Sequence, residues 1–143
     1  MNTKKNIPVP QGKYRPAVRH NELIYTSGMT PRKQGKLLYE GKILASDPVD
    51  AHRPALRLAT ENALIAASSC LQPGERIDRV LQLQVYVNAE DGFTAHAALA
   101  DVASEFLMER LGAGCMGARA AIGVATLPMN APVEITLLAL AAQ

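Results

Sequence analysis

The chain has 143 residues, with 15 Lys and Arg against 13 Asp and Glu, for a formal charge of +2. That length favours a single domain spanning 1–143, able to bury a core without disulfides or metals. The dispersed charge, broken only by Lys4-Lys5 and Arg32-Lys33, and the scarcity of aromatics (no Trp, 2 Phe, 4 Tyr) argue against a nucleic-acid partner.

The segment Met1–Pro8 is basic but lacks the apolar core of a secretory signal, and no later run reaches membrane-spanning length. A cytoplasmic protein with no membrane partner is expected. Leu23–Ser27 is β-rich and ends at Gly28, and Arg15–Arg19 pairs with it as a short strand. Pro31–Gly35 reads as a polar, mobile loop, followed by an edge strand over Lys36–Tyr39.

From Asp50 to Leu71 the apolar residues Ala55, Leu56, Ala59, Ala63, Ala66, Ala67 and Cys70 follow a helical period. Asp50 is the expected N-cap, with Pro54 in the first turn and Pro73-Gly74 as the stop. Leu81, Leu83, Val85 and Val87 then alternate with Gln82, Gln84, Tyr86 and Asn88, as in a strand with one buried face. A second helix is expected over Phe93–Leu111, capped by Asp91 or Thr94 and closed by Gly112.

Gly112–Gly117 reads as a flexible approach to two strands, Ala120–Ala125 and Val133–Leu140. The order suits an α+β fold with a mixed sheet and both helices on one face, and no glycine-rich phosphate loop opposes it. Both faces of the last strand are partly apolar, so self-association through the open sheet face is expected.

Arg119, at the start of the first of these two strands, and Glu134, in the second, are placed by the spacing on candidate neighbouring strands. A guanidinium among small and β-branched residues is a fixed fork for a planar anion, which points to a small-acid site. An ion pair between Arg119 and Glu134 across adjacent strands is the plainer reading. Tyr14 and Ser27 have equally plain readings, as a packed ring and a strand-ending turn. His20, His52 and His96 are scattered, so neither a triad nor a metal set follows, and no metal is expected. Cys70 and Cys115 read as free thiols; Cys115, four residues before Arg119, raises the question of a reactive thiolate.

Gly12–Val18, Ile24–Gly28, Arg79–Val87 and above all Ala118–Pro128 followed by Val133-Glu134 resemble the Rid/YjgF reactive-intermediate deaminases, once called endoribonuclease L-PSP. The resemblance covers nearly the whole chain. The Phe93–Phe106 stretch is closer to a sister branch with endoribonuclease and chorismate-mutase-like names. It implies a chorismate-mutase-like fold, a homotrimer whose sheets line a central barrel, and small-molecule clefts between subunits.

By matching positions, the resemblance implies that Arg119 grips the substrate carboxylate and Glu134 positions or activates water. Tyr14, Ser27, Gly28 and the Ala121 backbone would line the cleft. The implied reaction is hydrolysis of 2-imino or enamine acids such as 2-aminoacrylate and 2-iminobutanoate to 2-oxo acids and ammonium, without cofactor. A non-catalytic metabolite-binding trimer is the alternative, and an endoribonuclease or translation inhibitor ranks third. The chain departs from the archetype at Ala121, Met29 and Asp101, the last placing a carboxylate near an acid-binding cleft.

Overall fold

A computed structural model describes residues 6–143; the first five residues of the basic N-terminal segment lie outside it. Strands β1 (Ala17–His20) and β2 (Leu23–Thr26) form a hairpin, and β3 (Arg32–Lys33) and β4 (Lys36–Leu37) form a second, separate one. Helix α1 (Arg53–Ser68) leads to β5 (Arg76–Asn88), then α2 (His96–Leu111), β6 (Met116–Val124) and β7 (Val133–Ala142). The main sheet has five strands in the order β1-β2-β7-β5-β6, parallel only between β5 and β6.

The sheet is mixed because α2 carries the chain from the end of β5 back to the start of β6, the crossover that a parallel neighbour requires. Both helices cover one face. Along β7, Val133, Ile135, Leu137, Ala139 and Ala141 are buried beneath them, while Glu134, Thr136, Leu138 and Leu140 alternate onto the other face. Against the buried side pack Leu56, Ala59 and Ala63 of α1 and Leu99, Ala103, Phe106 and Leu107 of α2.

Several local expectations are corrected. Leu81 is only half-buried, because β5 carries a bulge between Val80 and Gln82 that gives the core position to Val80. The Pro31–Gly35 loop is largely a tight hairpin: Gln34 and Gly35 take positive φ of 53° and 79°, which sets the turn between β3 and β4. The buried Asn62 amide fastens it to α1 by donating to the Thr30 and Arg32 carbonyls at 3.1 and 2.8 Å.

Asp50 is not the N-cap of α1. It lies in a 3-10 turn over Val49–His52 and accepts from Arg53, and the helix begins one turn later with Pro54 in its first turn as expected. Neither Asp91 nor Thr94 caps α2, whose N-cap is Ala95, without a side-chain bond. The Gly112–Gly117 approach contains a 3-10 turn that buries Cys115, and the loss of water there raises its thiol pKa, opposite to what a reactive thiolate needs.

Arg19 of β1 ties the sheet edge to the turn after α1, meeting Glu75 through two bonds of 2.6 and 2.8 Å. That guanidinium, with the Gln72 N–H, holds the Glu75 carboxyl down at about 2, against an ordinary value of 4.5. A depressed carboxylate contributes stability above its unfolded pKa and loses it as pH falls through the folded one. Glu75→Gln should therefore melt below wild type at neutral pH and converge with it as pH falls from 4.5 to about 2. A Tm offset constant across that range would exclude the ion pair as its source.

Candidate functional site

The sheet register decides where each candidate side chain points. Arg119 is opposite Leu83 and Glu134 is opposite Tyr86, on the two sides of β5. Thus β5 separates β6 from β7, and the expected neighbouring strands, with their Arg119–Glu134 ion pair, do not exist. Leu83 is a core residue beneath the helices, whereas Tyr86 lies three positions away on the open face. Cross-strand partners share a face, so Arg119 projects to the helix side and Glu134 to the open side.

Arg119 is engaged by α2. Its Nη1 donates to Asp101 Oδ1 at 2.7 Å and to Ser104 Oγ at 3.1 Å, and Nη2 donates to the Ala97 carbonyl at 3.4 Å. Ala121, half-buried opposite Val85, and Gly123 follow Arg119 on the same side of β6. His96, at the start of α2, closes that end: a Cβ on Gly123 would lie 2.7 Å from its Nε2. The strip between α2 and edge strand β6 thus runs from the guanidinium over two small residues to an imidazole.

Glu134 belongs to a second cluster. Met29 bridges to Ile135 through paired backbone bonds of 2.8 Å, drawing the Ser27-Gly28-Met29 segment along β7. A Cβ on Gly28 would stand 2.6 Å from Glu134 Oε2 and 2.7 Å from its carboxyl carbon, so only glycine leaves this carboxylate its place. Ser27 Oγ donates to the Arg15 carbonyl at 2.6 Å, and the exposed Tyr14 hydroxyl accepts from the Gln11 N–H at 3.1 Å. Burial raises the Glu134 pKa, and among the described residues no cation or hydrogen-bond donor acts against it.

The structure therefore brings Gly28 to Glu134 and Ala121 to the side of Arg119, while the Ser27 hydroxyl is bonded to Arg15 and the Tyr14 hydroxyl to Gln11, and it does not join the Arg119 and Glu134 groups within one chain. The α2 acceptors were partly missed in the sequence. Residues 97, 101 and 104 recur at the i, i+4, i+7 spacing of one helix face, and a polar pair there was the available signal. Among the described residues no cluster of His, Cys, Asp and Glu could hold a metal ion, and no helix is long and apolar enough to cross a membrane.

Residues 4–141 match the family model described as endoribonuclease L-PSP. The chain belongs to this family, which is also the YjgF/Rid family. It is similar to protein TCP17 of Trypanosoma cruzi, at 30% identity over 116 residues, which cover 80% of this chain and 72% of that protein. It is also similar to the protein Atu1372 of unknown function from Agrobacterium tumefaciens, at 31% identity and a TM-score of 0.82, covering 94% of this chain and 84% of the other. The YjgF gene product of E. coli shares the fold at 23% identity and a TM-score of 0.66, over 95% of this chain and 94% of its own.

The Gly28–Glu134 contact makes a separable prediction. Gly28→Ala must rotate the Glu134 carboxyl or shift the backbone, and overpacking of this kind costs about 1–3 kcal/mol. If the clash is with this carboxylate, Glu134→Ser should recover most of the loss when combined with Gly28→Ala. A double-mutant cycle by denaturant unfolding measures that coupling.

Proposed function

We propose that the protein hydrolyses reactive 2-imino acids or their enamine tautomers, of the 2-aminoacrylate and 2-iminobutanoate type, to 2-oxo acids and ammonium. The observation that carries this reading is the half-buried Glu134 carboxylate, kept clear by Gly28 and raised in basicity by burial alone. A carboxylate in this condition is a stronger base than an ordinary glutamate, which suits proton removal from water. Family membership and the independent presence of Arg119 support a substrate carrying its own carboxylate.

Arg119 holds the substrate carboxylate, and the protonated imine carbon is the electrophile. Water oxygen adds to that carbon as Glu134 takes a proton from the water, forming a carbinolamine. Return of that proton to nitrogen makes it a leaving group; the C–N bond then breaks as the hydroxyl oxygen forms the carbonyl, and the hydroxyl proton passes to the departing ammonia, leaving ammonium and the 2-oxo acid. Water is the only co-reactant, so the reaction requires neither cofactor nor metal. Tyr14, Ser27, Gly28 and the Ala121 backbone complete the cleft.

Because Arg119 and Glu134 project to opposite faces of one sheet, a single cleft needs a second copy of the chain. The open face is suited to such a contact: Val18, Tyr25 and Ile122 are exposed there beside Gln82, Gln84 and Thr136. A homotrimer with its sheets around a central barrel and clefts between subunits is the proposed assembly, in the cytoplasm. The separation of the two side chains also favours a second reading, metabolite binding without turnover, which needs Arg119 alone.

Ammonium and 2-oxo acid release from freshly generated 2-iminobutanoate, after subtraction of spontaneous hydrolysis, tests the proposal. Arg119→Ala should lose about ten- to hundredfold in ligand affinity, the worth of a charge-assisted bond. Glu134→Gln should keep ligand affinity and lose about 10²–10⁴ in turnover. Saturable binding by wild type without acceleration selects the second reading.

The pH profile is a further check. A base works when deprotonated, so turnover should rise with pH through the Glu134 pKa and then level. The inflection should lie above the value of an ordinary glutamate and vanish in Glu134→Gln.

A further inference from the structure

Arg119 is not an empty fork. Asp101 Oδ1 meets Nη1 at 2.7 Å, Ser104 shares that nitrogen, and the Ala97 carbonyl takes Nη2. The three partners come from one face of α2, so the guanidinium is aimed before any ligand arrives. Its side chain is 25% exposed, but that of Asp101 is 61% exposed and stands at the rim. Asp101 reaches the guanidinium through one oxygen only.

We infer that Asp101 is an internal competitor for Arg119, a positioning residue that sets which anions the site accepts. The inference rests on the reading of Arg119 as the carboxylate-binding residue. With Asp101 in place the pair is locally neutral, so a passing anion gains little long-range attraction and must displace a charged oxygen already bonded. A planar carboxylate can offer two parallel acceptors where Asp101 offers one, and so can replace it. An anion limited to one contact cannot. The exposed carboxylate swings into water when displaced, while Ser104 and Ala97 keep the guanidinium oriented. The site therefore favours anions that present two parallel acceptors, as the carboxylates of 2-oxo and 2-imino acids do, at an affinity held down by its own aspartate.

The test is calorimetric titration of the full-length protein with 2-oxobutanoate and with its neutral counterpart 2-oxobutanamide. Asp101→Asn should bind the acid roughly two- to fivefold more tightly at low ionic strength, as expected for removal of an exposed ion pair, and the gain should shrink as salt is added. Affinity for the amide should not change, and Asp101→Glu should retain the wild-type preference. An equal gain for both ligands would overturn the inference, because Asp101 would then act through the fold. Unchanged acid affinity in Asp101→Asn, with binding still lost in Arg119→Ala, would overturn it while sparing the role of Arg119. Absence of acid binding in both wild type and Asp101→Asn would overturn the two together.

Discussion

The strand Val133–Ala142 hydrogen-bonds to β2 on one side and β5 on the other, and alternates along its length between residues under the helices and residues on the open face. A slip of one residue would bring Glu134 and Thr136 into the core and Ile135 and Leu137 out of it, so the register is strongly specified. The same alternation, passed through β5 to β6, sends Arg119 to the helix side. Placement of both charged candidates thus follows from a period of two and a covered face, before any ligand is considered.

The architecture was legible where the pattern was long and regular. The Ala and Leu positions of α1 gave one helix face, and Leu83, Val85 and Val87 fall in the core as their alternation implies. Details set by backbone geometry were less legible. The bulge at Leu81, the 3-10 turn before α1 and the uncapped start of α2 arise from how the ends of elements meet, which hydrophobic periodicity does not encode. Strand order was likewise hidden: Arg119 and Glu134 are close in the chain, yet β5, which precedes both, lies between them.

The candidate site was legible by residue type and only partly by arrangement. Arg119, Glu134 and Gly28 stood out in their motifs, and Gly28 now has a physical reason in the space it leaves to a carboxylate. Asp101 was visible as a charge of unassigned effect; its bond to Arg119 depends on the packing of α2 against β6, a tertiary fact. The resulting division is instructive. The Asp101 carboxylate is exposed and paired to a guanidinium through one oxygen, whereas that of Glu134 is half-buried, so the two carboxylates stand in opposite electrostatic surroundings.

The central place of β7 has a further consequence for how the chain acquires its shape. β1, β2, β5 and β6 all precede it in sequence, yet β2 and β5 have only β7 to join them. During synthesis the N-terminal hairpin and the β5-α2-β6 unit emerge as two pieces with a shared gap, each with an unpaired edge open to wrong partners. Closure of the gap brings Leu23 to Leu140, pairing strands from distant parts of the chain. The sheet therefore cannot close before β7 is made, and the vulnerable interval is the time between the appearance of those edges and the arrival of the strand that fills them.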